Sequence, residues 1–127
     1  MGLFNKLMGG GNASDSNLEW NPLTDSRQLD EILEESKQQT IAIYKHSTRC
    51  GISRMVLKGF ESDFDLNSDQ VKLYFLDLLK YRGVSNDIAS KYGVYHESPQ
   101  LIVLKDGAVI YHTSHGSIRA NKLSEFI

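Results

Sequence analysis

One residue, Cys50, has both the type and the position to carry covalent chemistry. It stands in the stretch HSTRCGISR, directly before a segment with the apolar spacing of an amphipathic helix. A thiol at the amino end of a helix faces unpaired backbone N–H groups and the positive end of the helix dipole, and both favour the thiolate. Because the thiolate is the nucleophilic form of cysteine, this position predicts a reactive thiol.

The residues around Cys50 support this interpretation. Arg49 and Arg54 flank it, and Lys45 and His46 lie just upstream, so the sequence predicts local positive charge that also favours the thiolate. The alternative is a cysteine that only fills the junction between a strand and a helix, since free cysteines are often buried. The polar neighbours argue against burial.

Ser53 follows Cys50 by about one helical turn, where its hydroxyl could donate a hydrogen bond to the thiolate. Gly51 leaves room for an approaching sulfur. Serine cannot form a disulfide, and the chain contains one cysteine in total. Such a nucleophile must exchange with an external thiol through a mixed disulfide.

The elements that position these residues follow from hydrophobic periodicity and turn signals. A helix is predicted over about 25–38, a buried strand over 40–45, a helix after Cys50, and a second inner strand over 71–77. Ser85 is predicted to cap a third helix that Gly93 ends. Two further strands flank Asp106-Gly107, a strong hairpin signal, and a closing helix follows. This order predicts an α/β fold, a mixed sheet of about four strands with helices on both faces.

Length and charge restrict the function. With 127 residues the chain fits one folded domain, predicted over 18–127, after a flexible segment and linker over 1–17. A net charge of −2 without a basic face argues against nucleic acid as a partner. No apolar run reaches the roughly 20 residues of a membrane span, and the start of the chain lacks the pattern of a signal peptide. We therefore expect a cytoplasmic protein.

Pro99 precedes an inner strand, where a proline cannot donate to the strand ladder. A cis bond here would turn the backbone of Ser98 toward whatever lies opposite. The sequence leaves the isomer open.

From residue 18 onward the sequence resembles the thioredoxin superfamily. The resemblance is carried by a strand, a Cys-x-x-Ser that opens a helix, and the stretch IASKYGVYHESPQLIVLKDGAVIYH. More specifically, TRCGIS together with HESPQ, LKDG and YHTSHG is similar to the monothiol bacilliredoxins of the bacillithiol system, whose motif usually reads T-x-C-P-I-S. The resemblance covers residues 18–127 and implies a thioredoxin-like fold.

The resemblance also implies roles for individual residues. Cys50 would be the nucleophile, and Ser53 would occupy the position of the missing resolving cysteine. Ser98 and Pro99 match the segment that clamps the substrate around a cis-proline.

Two positions depart from the family patterns. Gly51 replaces the usual proline of the bacilliredoxin motif, and Tyr44 stands where thioredoxins have a buried aspartate. That aspartate serves as the base for a second cysteine, so its loss suits a mechanism with one cysteine.

The remaining candidates concern the small thiol and metals. By analogy with glutaredoxins, backbone N–H groups at Gly116 and Ser117 could bind a carboxylate of a small thiol, beside Arg49 and Gly51 near the sulfur. His112 and His115 with Cys50 could in principle bind a metal, but their spacing does not bring two imidazoles together, and we expect no metal.

These observations predict a thiol–disulfide oxidoreductase that removes a small thiol, bacillithiol by resemblance, from bacillithiolated proteins. Two alternatives stay open. CGIS is similar to the C-G-F-S motif of monothiol glutaredoxins, which carry iron–sulfur clusters, and a thioredoxin-like adaptor without catalytic activity would also fit.

Overall fold

The computed structural model describes residues 18–127. The predicted flexible segment and linker over 1–17 lie outside the described residues. The described part contains five strands, three α-helices and two 3₁₀ segments. The strands are β1 Trp20–Pro22, β2 Thr40–His46, β3 Val71–Asp77, β4 Gln100–Lys105 and β5 Ala108–Ser114. The helices are α1 Gln28–Glu35, α2 Gly51–Asp63 and α3 Arg82–Tyr92, and the 3₁₀ segments are His115–Ser117 and Ala120–Phe126.

The strands form one mixed sheet in the order β1-β3-β2-β4-β5. β3 is parallel to both β1 and β2, whereas β4 is antiparallel to β2 and β5 is antiparallel to β4. The sequence predicted about four strands, and the additional one is the three-residue edge strand β1. Its pattern is too short to detect, and it ends in Pro22, a residue that sheets accept at an edge.

The central strands are aligned along their whole length, from Thr40 opposite Val71 to His46 opposite Asp77. Every residue of β2 is buried, which explains why its sequence is a continuous run instead of an alternation. The aligned carboxyl ends of β2 and β3 therefore form one edge, and the chain passes from this edge through a short loop to Cys50.

Helices and 3₁₀ segments cover the two faces of the sheet, as the sequence predicted. On one face, α2 and the last 3₁₀ segment cover a cluster rich in aromatic residues. On the other face, α1 and α3 cover a cluster dominated by Leu, Ile and Val. No helix among residues 18–127 combines the length and apolar character needed to cross a bilayer.

Two predictions about the helices were wrong. α1 is shorter at both ends than the predicted 25–38. Ahead of its start, the side-chain oxygen of Gln28 accepts hydrogen bonds from the backbone N–H groups of Thr24 and Asp25. Ser85 does not cap α3, which begins at Arg82, and it lies buried inside the helix. The predicted closing helix is present as a 3₁₀ helix over Ala120–Phe126.

The turn predictions were confirmed. Gly93 ends α3 with φ of 69°, the left-handed conformation that favours glycine. Asp106 and Gly107 both have positive φ, 56° and 81°, as a two-residue hairpin turn with the strand twist requires.

Candidate active site

Cys50 is the N-cap of α2, with extended backbone angles of φ −109° and ψ 121°. The backbone N–H of Arg54 donates to the Cys50 carbonyl at 3.2 Å, which is the first helical hydrogen bond. The thiol is partly exposed, and its side chain makes no capping hydrogen bond. The prediction of a helix that begins beside Cys50 is confirmed, and the residue is partly exposed instead of sealed in the interior.

Ser53 differs from its predicted geometry. Its side chain is fully buried, and its Oγ accepts a hydrogen bond from the backbone N–H of Ser47 at 3.2 Å. The same Oγ lies 2.9 Å from Nδ1 of His46. Within the described residues, no hydrogen bond joins Ser53 to Cys50, so the predicted contact with the sulfur is replaced by contacts with the end of β2 and the loop that follows it.

The prediction that Lys45 adds positive charge at the thiol was wrong. Lys45 and His46 are consecutive in β2 and therefore point to opposite faces of the sheet. Lys45 is fully buried on the aliphatic face, where its Nζ lies 2.8 Å from Nδ1 of His96, and burial lowers the pKa of Lys45 to about 8. The charge of Lys45 therefore faces away from the thiol.

His46 lies on the aromatic face, 5% exposed, and contacts the rings of Tyr44 and Phe75. Burial lowers the pKa of His46; the nearby Asp77 carboxylate opposes the change, and Arg54 adds to it. The burial of the ring therefore favours its neutral form. The positive charge beside Cys50 comes from the exposed side chains of Arg49 and Arg54.

The proline segment lies at the same edge of the sheet. The Ser98–Pro99 bond is cis, and Pro99 is buried. The following residue, Gln100, is paired with Lys45, which places Pro99 at the carboxyl end of β2 that leads to Cys50. The Ser98 hydroxyl is buried and has no hydrogen-bond partner among the described residues.

The turn over His115–Ser117 completes this edge. The backbone N–H of His115 donates to the Pro99 carbonyl at 3.0 Å, and the turn contacts α2. Gly116 and Ser117 are exposed, in a single 3₁₀ turn instead of at the start of a longer helix. Their role toward a small thiol stays a prediction.

Gly51 and the histidines complete the predicted set. Gly51 is exposed, and a Cβ at this position would meet only a guanidinium nitrogen of Arg54, at an ordinary contact distance of 3.9 Å. The neighbouring atoms therefore leave room for a larger side chain here. The part of the chain that the structure describes holds no group of three or more His, Cys, Asp or Glu side chains suited to a metal ion.

The sequence analysis missed the pairing of His46 with Ser53. Strand alternation could have placed His46 on the same side of β2 as the aromatic residue Tyr44, but it does not identify Ser53 as the partner. Tyr44 is fully buried, burial raises the pKa of its phenol, and its hydroxyl has no partner among residues 18–127. An aromatic residue therefore fills the position where thioredoxins have the aspartate.

The fold and this site define a thioredoxin-like protein, and solved structures agree. One solved structure with a thioredoxin fold is similar with a TM-score of 0.70 and 29% sequence identity, over 84% of this chain and 91% of that one. Malassezia sympodialis thioredoxin is similar with a TM-score of 0.64 and 20% identity, over 87% of this chain and 88% of that one. Schistosoma mansoni thioredoxin is similar with a TM-score of 0.61 and 20% identity, over 88% and 95% of the two chains.

The family is narrower than the fold. The family described as "Monothiol bacilliredoxin BrxC" matches residues 21–123. The chain belongs to this family, which confirms the resemblance seen in the sequence. Family and fold together make the protein a thioredoxin-like thiol oxidoreductase.

Proposed function

We propose that this protein removes bacillithiol from protein mixed disulfides, with Cys50 as its single nucleophile. The observation that carries the proposal is the position of Cys50, the one cysteine of the sequence, partly exposed at the N-cap of α2. The family supports bacillithiol as the small thiol. Cytoplasmic localisation belongs to the same proposal, because a thiol must stay reduced to act in this way.

The reaction consists of two thiol–disulfide exchanges. The Cys50 thiolate attacks the bacillithiol sulfur of the mixed disulfide; a bond forms between the two sulfurs, and the target cysteine leaves as a thiolate and takes up a proton. A second bacillithiol, as its thiolate, then attacks the bacillithiol sulfur held on Cys50. Oxidised bacillithiol is released and the Cys50 thiolate returns, so the two electrons that reduce the target come from the small thiol.

The surrounding residues have proposed roles in these steps. The backbone of Ser98 and Pro99 would pair with the peptide-like part of the bound thiol. Arg49 would stabilise the thiolate by its charge, and Gly51 leaves the sulfur open to an in-line approach. Gly116 and Ser117 would offer backbone N–H groups to a carboxylate of bacillithiol.

A reaction with a bacillithiolated target protein tests the proposal, followed by intact mass of both proteins. We expect the wild-type protein to free the target thiol and to gain one bacillithiol at Cys50. Cys50→Ala and Cys50→Ser should show no turnover above the uncatalysed exchange, because each removes the nucleophile.

A relocated cysteine provides the matched control. Ser62 is exposed near the end of α2, so Cys50→Ser/Ser62→Cys keeps one accessible thiol on the same helix but away from its amino end. We expect this variant to exchange no faster than a free thiol. Turnover equal to that of the wild type in this variant or in Cys50→Ala would overturn the proposal, and so would a protein that accepts oxidised glutathione but not oxidised bacillithiol.

A further inference from the structure

The hydroxyl of Ser53 has few ways to form hydrogen bonds. A serine oxygen carries one proton and two acceptor positions. The backbone N–H of Ser47 occupies one acceptor position, at 3.2 Å. The remaining partner is Nδ1 of His46 at 2.9 Å, and the serine is fully buried. The state of Nδ1 therefore decides where the hydroxyl proton points.

The two states of Nδ1 have opposite consequences. When Nδ1 has no proton, the hydroxyl of Ser53 donates to it. When Nδ1 carries the proton, that N–H fills the second acceptor position of Ser53, and the hydroxyl proton must find another acceptor.

The acceptor that the helix offers is the Cys50 sulfur. Cys50 is the N-cap of α2 and Ser53 is the third helical residue, the two positions that a capping box links at a helix start. No hydrogen bond joins the two side chains among the described residues, which corresponds to the state in which Nδ1 has no proton and Ser53 donates to it. The Cys50 side chain makes no capping hydrogen bond. A thiolate at this position would accept a hydrogen bond that is stronger for being charge-assisted.

We infer that His46 is a positioning residue that acts through Ser53: with a proton on Nδ1, it directs the Ser53 hydroxyl to the Cys50 thiolate, and without one it withdraws that hydroxyl. The inference deepens the proposed function, on which it rests. When Cys50 is a free thiolate, the Ser53 hydroxyl would point to the sulfur and the His46 proton would be on Nδ1. When Cys50 is in a mixed disulfide, the hydroxyl would donate to an Nδ1 that carries no proton. No covalent bond between heavy atoms changes in this step: the ring stays neutral, and its one proton moves between Nδ1 and Nε2.

The surroundings of His46 favour a neutral ring that can adopt either tautomer. The ring is 5% exposed and packs against Tyr44 and Phe75. Two charged groups act on it in opposite directions, Asp77 from β3 and Arg54 from α2. Neither is hydrogen-bonded to the ring among the described contacts, so Ser53 is the group that responds to its tautomer.

The test is the pH profile of Cys50 alkylation by iodoacetamide, measured on the full chain. We expect Ser53→Ala and His46→Phe each to raise the midpoint of the profile by about one pH unit, a roughly tenfold loss of thiolate at a given pH below the midpoint. The double variant should match either single variant, because both residues act in one chain of contacts.

His46→Asn is the matched variant, since the asparagine amide can place an N–H where Nδ1 lies. We expect it to restore most of the wild-type midpoint, which a merely structural role for the ring would not do. An unchanged midpoint in Ser53→Ala, a double variant whose shift is the sum of the two, or His46→Asn behaving like His46→Phe would each overturn the inference. If His46→Phe does not fold, the midpoints of Ser53→Ala and His46→Asn test the inference without it.

This experiment and the test of the proposed function are independent. Iodoacetamide contains neither a disulfide nor bacillithiol, so the alkylation profile does not depend on the small thiol that the protein uses. Shifted midpoints without a bacillithiol adduct would keep the inference and overturn the proposed function, and the opposite pattern would do the reverse.

Discussion

The two faces of the sheet are built from different side chains. One face is an aromatic cluster in which Trp20 lies 5.7 Å from Phe60 and 5.9 Å from Tyr44, measured between ring centroids. The opposite face is aliphatic, with residues such as Ile43 and Ile88 fully buried. The aromatic face carries α2 and therefore Cys50, whereas the aliphatic face carries α1 and α3.

The faces also differ in how each satisfies a buried polar group at the end of β2. On the aromatic face, His46 meets the hydroxyl of Ser53, one turn from the thiol. On the aliphatic face, Lys45 meets the ring of His96, in the loop that leads to the cis-proline. Consecutive residues of one strand thus reach two separate polar sites, and we interpret the first as part of the chemistry and the second as support for the loop.

The largest expected effects come from cavities in the two clusters. Phe60→Ala should lower the free energy of unfolding by about 4 kcal/mol, and Ile88→Ala by about 3 kcal/mol. Both side chains are essentially inaccessible to solvent. Because Phe60 holds α2 on the sheet, we expect only its loss to change the alkylation rate of Cys50. Denaturant unfolding measures the free energy of unfolding, and reaction with iodoacetamide measures the alkylation rate of Cys50. A changed alkylation rate in Ile88→Ala would contradict the distinction between the two faces.

The next effect concerns Lys45 and its pH dependence. Burial lowers the pKa of Lys45 from its usual 10.5 to about 8. Below pH 8 the ammonium group is charged in both states, but only in the folded protein is this charge removed from water, which lowers the free energy of unfolding. Lys45→Met should therefore raise the free energy of unfolding, by up to about 3 kcal/mol below pH 8. His96 keeps a partner in this variant, since the hydroxyl of Ser85 lies 3.3 Å from the same nitrogen.

The sign of the effect makes the prediction specific. As the pH rises from about 8 to 10.5, the unfolded chain holds more protons than the folded one, so the wild type gains stability relative to the variant. Unfolding measured in pairs at each pH should show the advantage of Lys45→Met shrinking across this range. A variant that is less stable than the wild type at pH 7 would show that the contact with His96 outweighs the burial of the charge.

The smallest effect is expected at acidic pH. Burial lowers the pKa of both His46 and His96, and Lys45 adds to the change at His96. As the pH falls below 6.5, the unfolded chain takes up protons at these rings first, so both histidines reduce stability there. His46→Asn should flatten the fall in stability between pH 7 and 5 more than His96→Asn, because His46 is buried and His96 is exposed. Equal flattening in thermal unfolding scans would contradict this order.

The sequence predicted the elements around the thiol closely. The strand over 71–77 has its predicted bounds, β2 differs by one residue, and the hairpin forms around Asp106-Gly107. These elements could be predicted because continuous β-branched runs, a helical stripe and a two-residue turn are local properties of the chain. The cap proposed at Ser85 failed because the buried side of α3 extends further toward its start than any capping signal indicates.

The sequence by itself thus determined that one cysteine stands where a strand gives way to a helix, and which family the chain joins. Only the tertiary structure decided the partners of the neighbouring polar groups, above all the contacts of Ser53 with His46 and of Lys45 with His96. The physical reason is that strand alternation sends adjacent side chains to opposite faces, but it does not say which helix covers each face. A hydrogen bond between a strand end and a helix exists only after the two have packed together.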